Sequence, residues 1–353
     1  DYKKGFPLNL EPHLQTGLNT IEFHFTNGPG PGGIEIHPTH SWFYWFSFFI
    51  GFSVVAIALA RAANLTYAQQ AALVLASAAM VTYWAHTPWD DRTYDAAGLT
   101  GHFGYVGYVA QNYALPNPTE GWTYYHPPLY YISAAAIWHA AEALSALPTQ
   151  ALQAYSMVLW IAFLIAGLAT LKRLFRNNYK LLTVASFALA LWPSGIIHSV
   201  RIGNDILFYV LTAYTFLVMT RWWNRESLKD LIIMSILCAL AVLTKSNGAV
   251  LGVCIGSLIL VRFCVQKGSK KKWHQVRNMT IFGAISISGL ALSFAVRIYY
   301  FMKGEIKHWL VGNLGNLHGG LRVPNDIKAY LPIDLPTFLT SPYLHSWKDE
   351  TGR

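Results

Sequence analysis

Apolar and polar positions in this chain segregate into blocks instead of alternating within them. Long apolar runs cover residues 41–60, 70–85, 151–171, 181–197, 206–220, 231–243, 249–261 and 280–298. Most are apolar all round a helix rather than on one face, as expected of segments surrounded by lipid or by other helices. The first opens on Trp42, Phe43, Tyr44, Trp45 and Phe46, an aromatic belt of the kind found at a bilayer interface. The pattern therefore predicts a bundle of membrane helices. Residues 1–39 differ. Leu18, Thr20, Ile21, Phe23 and Phe25 partly alternate, a Gly-Pro turn follows at 28–33, and Ile34-Glu35-Ile36 comes next. That reads as one β-hairpin, too small to fold alone.

Composition supports the membrane reading. The 353 residues are 54% hydrophobic and 12% charged, against about 25% charged in soluble domains. The +9 formal charge is concentrated in short connections between apolar runs, which marks cytoplasmic loops and argues against a nucleic-acid partner. Cys238, Cys254 and Cys264 lie within or at the ends of apolar runs and have neither metal-ligand nor disulfide-framework spacing. The chain is expected to be a fragment, with a domain before residue 1 and further helices after residue 353.

Charge also orders the connections. Lys172, Arg173, Arg176 and Lys180 make one basic turn; Arg221, Arg225 and Lys229 make another; residues 262–277, with Lys270-Lys271-Lys272, are the most basic of all. With these inside, residues 193–205, 244–248 and the tail after 298 lie outside, as does the polar stretch 86–128. The run 127–147 must then begin and end outside. It is expected to be a juxtamembrane or re-entrant helix, and the alternative would place all three basic connections outside. Asn64-Leu65-Thr66 and Asn278-Met279-Thr280 match the glycosylation pattern, but on the cytoplasmic side they are chance matches.

This topology gathers the polar outliers on one face. They are Asp90, Asp91, Asp95, His102 and His126, then Arg201, Asn204 and Asp205, then Lys245, with His308, His318, Arg322, Asp334 and the charged end 347–353 in the tail. Carboxylates mixed with cations beside a helical groove fit a substrate with an apolar tail, an anionic phosphate and a polar sugar. Each residue also has a plainer reading. Arg201 is an interfacial anchor or a phosphate ligand; Asp205 is an ion-pair partner of Arg201 or Lys245, or acts directly; His102 is packed or substrate-facing; and Asp90 or Asp91 has a helix cap as its plainer reading.

Tyr94-Asp95-Ala96, Gly101-His102-Phe103, Tyr105-Val106, Tyr108-Val109-Ala110, Leu115-Pro116 and His126-Pro127-Pro128-Leu129-Tyr130-Tyr131 together resemble the first outer loop of GT-C glycosyltransferases. The closest groups are the protein O-mannosyltransferase and lipid A aminoarabinose transferase type. Arg201-Ile202-Gly203-Asn204-Asp205 and Leu243-Thr244-Lys245-Ser246-Asn247-Gly248 resemble later outer motifs of the same families, and the likeness covers about residues 67–298.

The resemblance implies a GT-C-like transmembrane core over 40–298 with a catalytic loop at 86–128, and an extracytoplasmic loop over 299–353. It implies a polyprenyl-phosphate sugar donor and an acceptor hydroxyl on protein, lipid or glycan. Transfer inverts the anomeric centre with an aspartate as base, on the extracytoplasmic face of a plasma, inner or ER-type membrane. Asp95 is the first candidate base, with Asp91 and Asp90 behind it. Tyr125, His126, His102, Arg201, Asn204, Asp205 and Lys245 are candidate substrate ligands, and Arg201, Lys245 and His126 suit the departing phosphate. The chain departs from the family pattern at Ala96, where an acidic residue is usual, and in the seven-residue spacing from Asp95 to His102. No obligatory metal is expected, although two carboxylates and a histidine could hold a divalent ion. The N-terminal hairpin is read as structural, with sugar binding as its alternative. A polytopic transporter or lipid flippase is the alternative for the whole chain, against which stands the scarcity of ionisable residues inside the runs.

Overall fold

The computed structural model describes residues 42–86, 101–121 and 123–306. The β segment expected at 1–39, all three candidate base aspartates and the tail from residue 307 lie outside the described residues. The chain divides into two compact units, residues 1–48 and 49–353. The described part of the first is the aromatic opening of a helix, in which Tyr44 and Phe48 rings meet at 4.9 Å.

Every regular element among the described residues is a helix. They are α1 Trp42–Ala62, α2 Tyr67–His86, α3 His102–Asn112, α4 Leu129–Ala143, α5 Pro148–Leu174, α6 Tyr179–Ala190, α7 Pro193–Ser199, α8 Asp205–Arg225, α9 Leu228–Thr244, α10 Gly248–Val265 and α11 Ser269–Met302. Five of these, α1, α5, α8, α10 and α11, are long and apolar enough to cross a membrane, and α6 with α7 makes a sixth if that bent pair is one span. The chain is a multi-pass membrane protein, all-helical among the described residues.

Local sequence sets the helix ends. Thr66 and Gln69 form a reciprocal cap at the start of α2: the Thr66 N–H donates to Gln69 Oε1 at 3.1 Å and the Gln69 N–H to Thr66 Oγ1 at 3.3 Å. Asn178 caps α6 and Ser227 caps α9 through their side-chain oxygens. Pro148 and Pro193 stand at helix starts, where a missing N–H costs nothing.

Four departures from the expected runs have physical causes. The run 181–197 is broken at Leu191-Trp192 and bends by 45°, because Pro193 cannot continue the preceding hydrogen-bond ladder. The basic connection expected over 262–277 is mostly helix. Only residues 266–268 separate α10 from α11, and lysines are good helix formers. The polar tail expected from 299 begins later, since α11 runs to Met302. Finally, α2 and α9 fall outside the set of candidate spans. For α9 the cause is its 17 residues, about 26 Å at 1.5 Å per residue. It packs against α8, α10 and α11, so neighbouring protein surrounds much of it.

The run 127–147 contains only the 15-residue α4. At about 22 Å it is shorter than the roughly 30 Å hydrocarbon core, and it is not among the helices long and apolar enough to cross a membrane.

One packing layer joins α8, α9, α10 and α11 through Trp222, Leu231, Met234, Cys238, Ile255, Ile259 and Phe282. Between lipid-embedded helices close approach replaces the hydrophobic effect as the driving force. Gly289 shows this directly: a Cβ there would lie 2.6 Å from the Ala239 Cβ and 2.7 Å from its Cα. Buried polar groups tie the remaining helices together. Gln69 Nε2 donates to the Leu168 carbonyl at 2.8 Å, joining α2 to α5.

Candidate functional site

The segment 101–128 folds as α3, an irregular stretch, and the entry to α4. Tyr113 ends α3 in the left-handed region at φ 51°, its N–H returning to the Val109 carbonyl. Aromatic contacts hold α3 against α4. Tyr105 stacks on Tyr131 at 3.6 Å, and Phe103 meets Trp138 at 5.3 Å.

Inside this hairpin lies a histidine pair. The His102 and His126 rings stack at 5.5 Å and 15°. His102 Nδ1 lies 2.7 Å from the Tyr131 hydroxyl. Burial pushes the His102 pKa down to about 4, with Asp205 opposing and Lys245 and Arg201 adding to the shift. Burial, then the neighbouring His102 and Lys245, also holds His126 well below the ordinary histidine range. Burial raises the Tyr131 hydroxyl well above its usual value. His102 and Tyr131 thus form a neutral pair at physiological pH. His102 is almost wholly enclosed, which favours its packed reading.

The turn 200–204, which leads into α8, meets this pair. A Cβ on Gly203 would sit 3.6 Å from His102 Cδ2, so the ring and the turn are in near contact. α5 fixes the turn from behind: Ser156 Oγ donates to the Arg201 carbonyl at 2.7 Å and Gln153 Nε2 to the Val200 carbonyl at 3.4 Å. Trp84 Nε1 in turn donates to Gln153 Oε1 at 3.0 Å.

Asp205 opens α8 and Lys245 closes α9. Lys245 Nζ lies 2.5 Å from Asp205 Oδ1, with about a quarter of each side chain exposed. The ion-pair reading of Asp205 is thus realised, with Lys245 as partner, in a place water still reaches. Asn204 is fully buried and its amide donates to the Thr244 carbonyl at 3.0 Å. It pins the start of α8 to the end of α9, and its Oδ1 has no hydrogen-bond partner.

The outer end of α11 closes the other side. Arg297 Nη2 donates to the Tyr125 carbonyl at 2.5 Å, and the Tyr300 hydroxyl to the Leu115 carbonyl at 3.0 Å. A small crevice lies here between the irregular stretch and α11, lined by Tyr105, Tyr125, His126, Ser293, Val296 and Arg297 among others.

The structure therefore brings together His102, His126, Tyr125, Arg201, Asn204, Asp205 and Lys245, from segments more than a hundred residues apart. Among the described residues the result is a cluster rich in cationic and imidazole groups around the ion-paired carboxylate of Asp205. Asp90, Asp91 and Asp95 lie outside the described residues. Three participants were not anticipated. His198, on α7, is close enough to Asp205 to affect its charge and its ring meets Tyr209 at 5.6 Å. Tyr131 is the hydrogen-bond partner of His102. Arg297 was readable as an arginine inside the apolar run 280–298, a position where ionisable residues are costly and usually functional.

Among the described residues no group of three His, Cys, Asp or Glu side chains is placed to hold a metal ion. No protein-family model matches the chain, and no curated protein matches it in sequence.

Proposed function

We propose that this chain is an integral-membrane glycosyltransferase of GT-C type. In this reading it moves a sugar from a polyprenyl-phosphate donor to an acceptor hydroxyl on the extracytoplasmic side. The observation that carries the reading is the gathering of Arg201, Lys245 and Arg297 around the His102–His126 pair. A phosphate ester leaving from an inverting displacement develops negative charge, and fixed cationic donors in a partly dry site stabilise it. An acceptor hydroxyl needs a carboxylate to take its proton; Asp95, followed by Asp91 and Asp90, is assigned that role from the sequence. Asp205 orients Lys245 through their ion pair, and Tyr125 and His126 stand beside Arg297 at the small crevice next to these cations. His102 and Asn204 position the segments that carry these groups.

Asp95→Asn tests the reading. It removes the base while keeping shape, and sugar transfer from a polyprenyl-phosphate donor should fall by about 10²–10⁴-fold, with donor binding retained. If Asp95→Asn and Asp91→Asn both transfer normally, the site is wrong.

The broken α6–α7 span gives some weight to the transporter reading, since interrupted helices line many transport sites. The break itself holds Leu191, Trp192 and Pro193, none of them ionisable. Uptake or flipping of labelled substrate by proteoliposomes, without covalent transfer, would favour transport.

A further inference from the structure

At the end of the bundle opposite the site, the α10–α11 turn presents a dense cationic surface. Lys267, Lys270, Lys271 and Lys272 are all exposed, as is Arg277. The carboxylates at this end are already engaged inside the protein. Glu226 accepts from Gln266 at 2.8 Å and from Gln275 at 2.6 Å, and lies 3.4 Å from Arg262. Asp230 pairs with Arg221 at 2.7 Å. Among the described residues none of the four lysines forms an ion pair with a carboxylate. Their charge points outward.

Apolar surface accompanies that charge. Trp273 is 69% exposed and Val265 66%. Phe263, Gly268, Ser269, Lys272, Trp273 and Val276 line an open cleft between α10 and α11, with Lys272 Nζ 5.3 Å from the Phe263 ring centroid. Length sets the depth of this cleft. The 34 residues of α11 extend about 51 Å, well beyond the roughly 30 Å hydrocarbon thickness. The last turns of α11 stand at the level of the segment 113–128, so much of the excess falls at the Lys270–Lys272 end. Its first turns therefore stand at headgroup level, with Trp273 where indole rings favour the interface.

We propose that this face binds anionic phospholipid: the lysines take the headgroup phosphate, and the Phe263–Trp273–Val276 cleft takes the start of an acyl chain. The occupant is a lipid of the bilayer that holds the protein, because the charge lies on a membrane-spanning helix beside exposed apolar side chains. A juxtamembrane cluster of this size attracts acidic lipid over neutral lipid. The inference does not depend on the glycosyltransferase reading.

The experiment uses the full chain in liposomes of phosphatidylcholine with spin-labelled phosphatidylglycerol or spin-labelled phosphatidylcholine as probe. Electron paramagnetic resonance reports the fraction of each probe immobilised at the protein. The unaltered chain should prefer the anionic probe, and the preference should weaken with added salt. Lys270→Gln, Lys271→Gln and Lys272→Gln combined should reduce that preference by roughly five-fold or more, leaving neutral-lipid association unchanged. Lys229→Gln, exposed at the same end on α9, is the control and should leave the preference intact. The single substitutions, each at an exposed position, should show graded losses and serve if the triple variant fails to fold. No preference for the anionic probe, or an equal loss in Lys229→Gln, would overturn the proposal.

Discussion

The two ends of the bundle draw on similar residue types and use them differently. At the Glu226 end, one carboxylate takes donors from Gln266, Gln275 and Arg262, and Arg262 also stacks over Trp223 at 4.2 Å. Gln275 is almost wholly buried and passes a further bond from Asn278. The network closes on itself, which is what a structural clamp between helix turns requires. At the Asp205 end, the carboxylate pairs with Lys245, and His198 and His102 lie close enough to act on its charge. The ion pair there remains a quarter exposed. A closed network stabilises the fold, whereas an open, cation-rich one can accept an anion from outside.

The contrast can be broken most sharply by activity. Arg201→Ala or Lys245→Ala should lower sugar transfer by about 10²-fold or more, the usual loss when one charge-stabilising donor is removed. Arg262→Ala should leave the turnover of folded protein unchanged. Equal losses in a transfer assay with purified protein would erase the distinction between the ends.

Stability should show the reverse order. Glu226→Ala removes the acceptor that Gln266, Gln275 and Arg262 share and should cost on the order of 3 kcal/mol, seen as a large drop in melting temperature in detergent. Lys245→Ala should cost less, because solvent reaches Asp205 and screens it. A larger loss at Lys245 would mean that the outer cluster is the structural one.

Packing comes next. Gly289→Val places methyl groups against the Ala239 backbone, only 2.7 Å from where a Cβ would start. It should destabilise by about 1–3 kcal/mol, measured by the same melting assay. Pairing it with Ala239→Gly should recover part of the loss, since that removes the facing Cβ.

The smallest effect is the pH dependence of the histidine pair. His102 titrates near 4 in the folded chain against an ordinary 6.5. Between those values the unfolded chain binds a proton that the folded chain does not, so stability falls as pH drops through this window. From pH 6.5 to 5.5 the loss should be roughly 1 kcal/mol. His102→Gln should flatten that part of the melting profile. An unchanged profile would mean that His102 is not the group held neutral.

Much of this was legible in the residues themselves. The apolar runs marked the longer helices, though not α3, and took α6 and α7 as one, because a lipid-facing segment must satisfy its backbone internally and present apolar side chains. Charge alternation led to the expectation that residues 127–147 begin and end on one side, and the helix found there, α4, has 15 residues. Pro193 stood in the sequence as a break, yet the run 181–197 was read through it, since hydropathy is blind to the backbone. The clustering of Arg201, Asn204, Asp205 and Lys245 was expected from their shared side. What each one touches was not, because side alone does not fix register between helices.

The sequence by itself determined that this is a helical membrane protein and which connections carry its polar chemistry, since both follow from local composition. Only the tertiary structure decided that Asp205 pairs with Lys245, that Asn204 is spent on the Thr244 carbonyl, that His102 is sealed against Tyr131, and that Arg297 returns from α11 to meet Tyr125. Those choices depend on how far each helix rotates and slides against its neighbours. Small residues such as Gly289 set that geometry through contacts between segments some fifty residues apart.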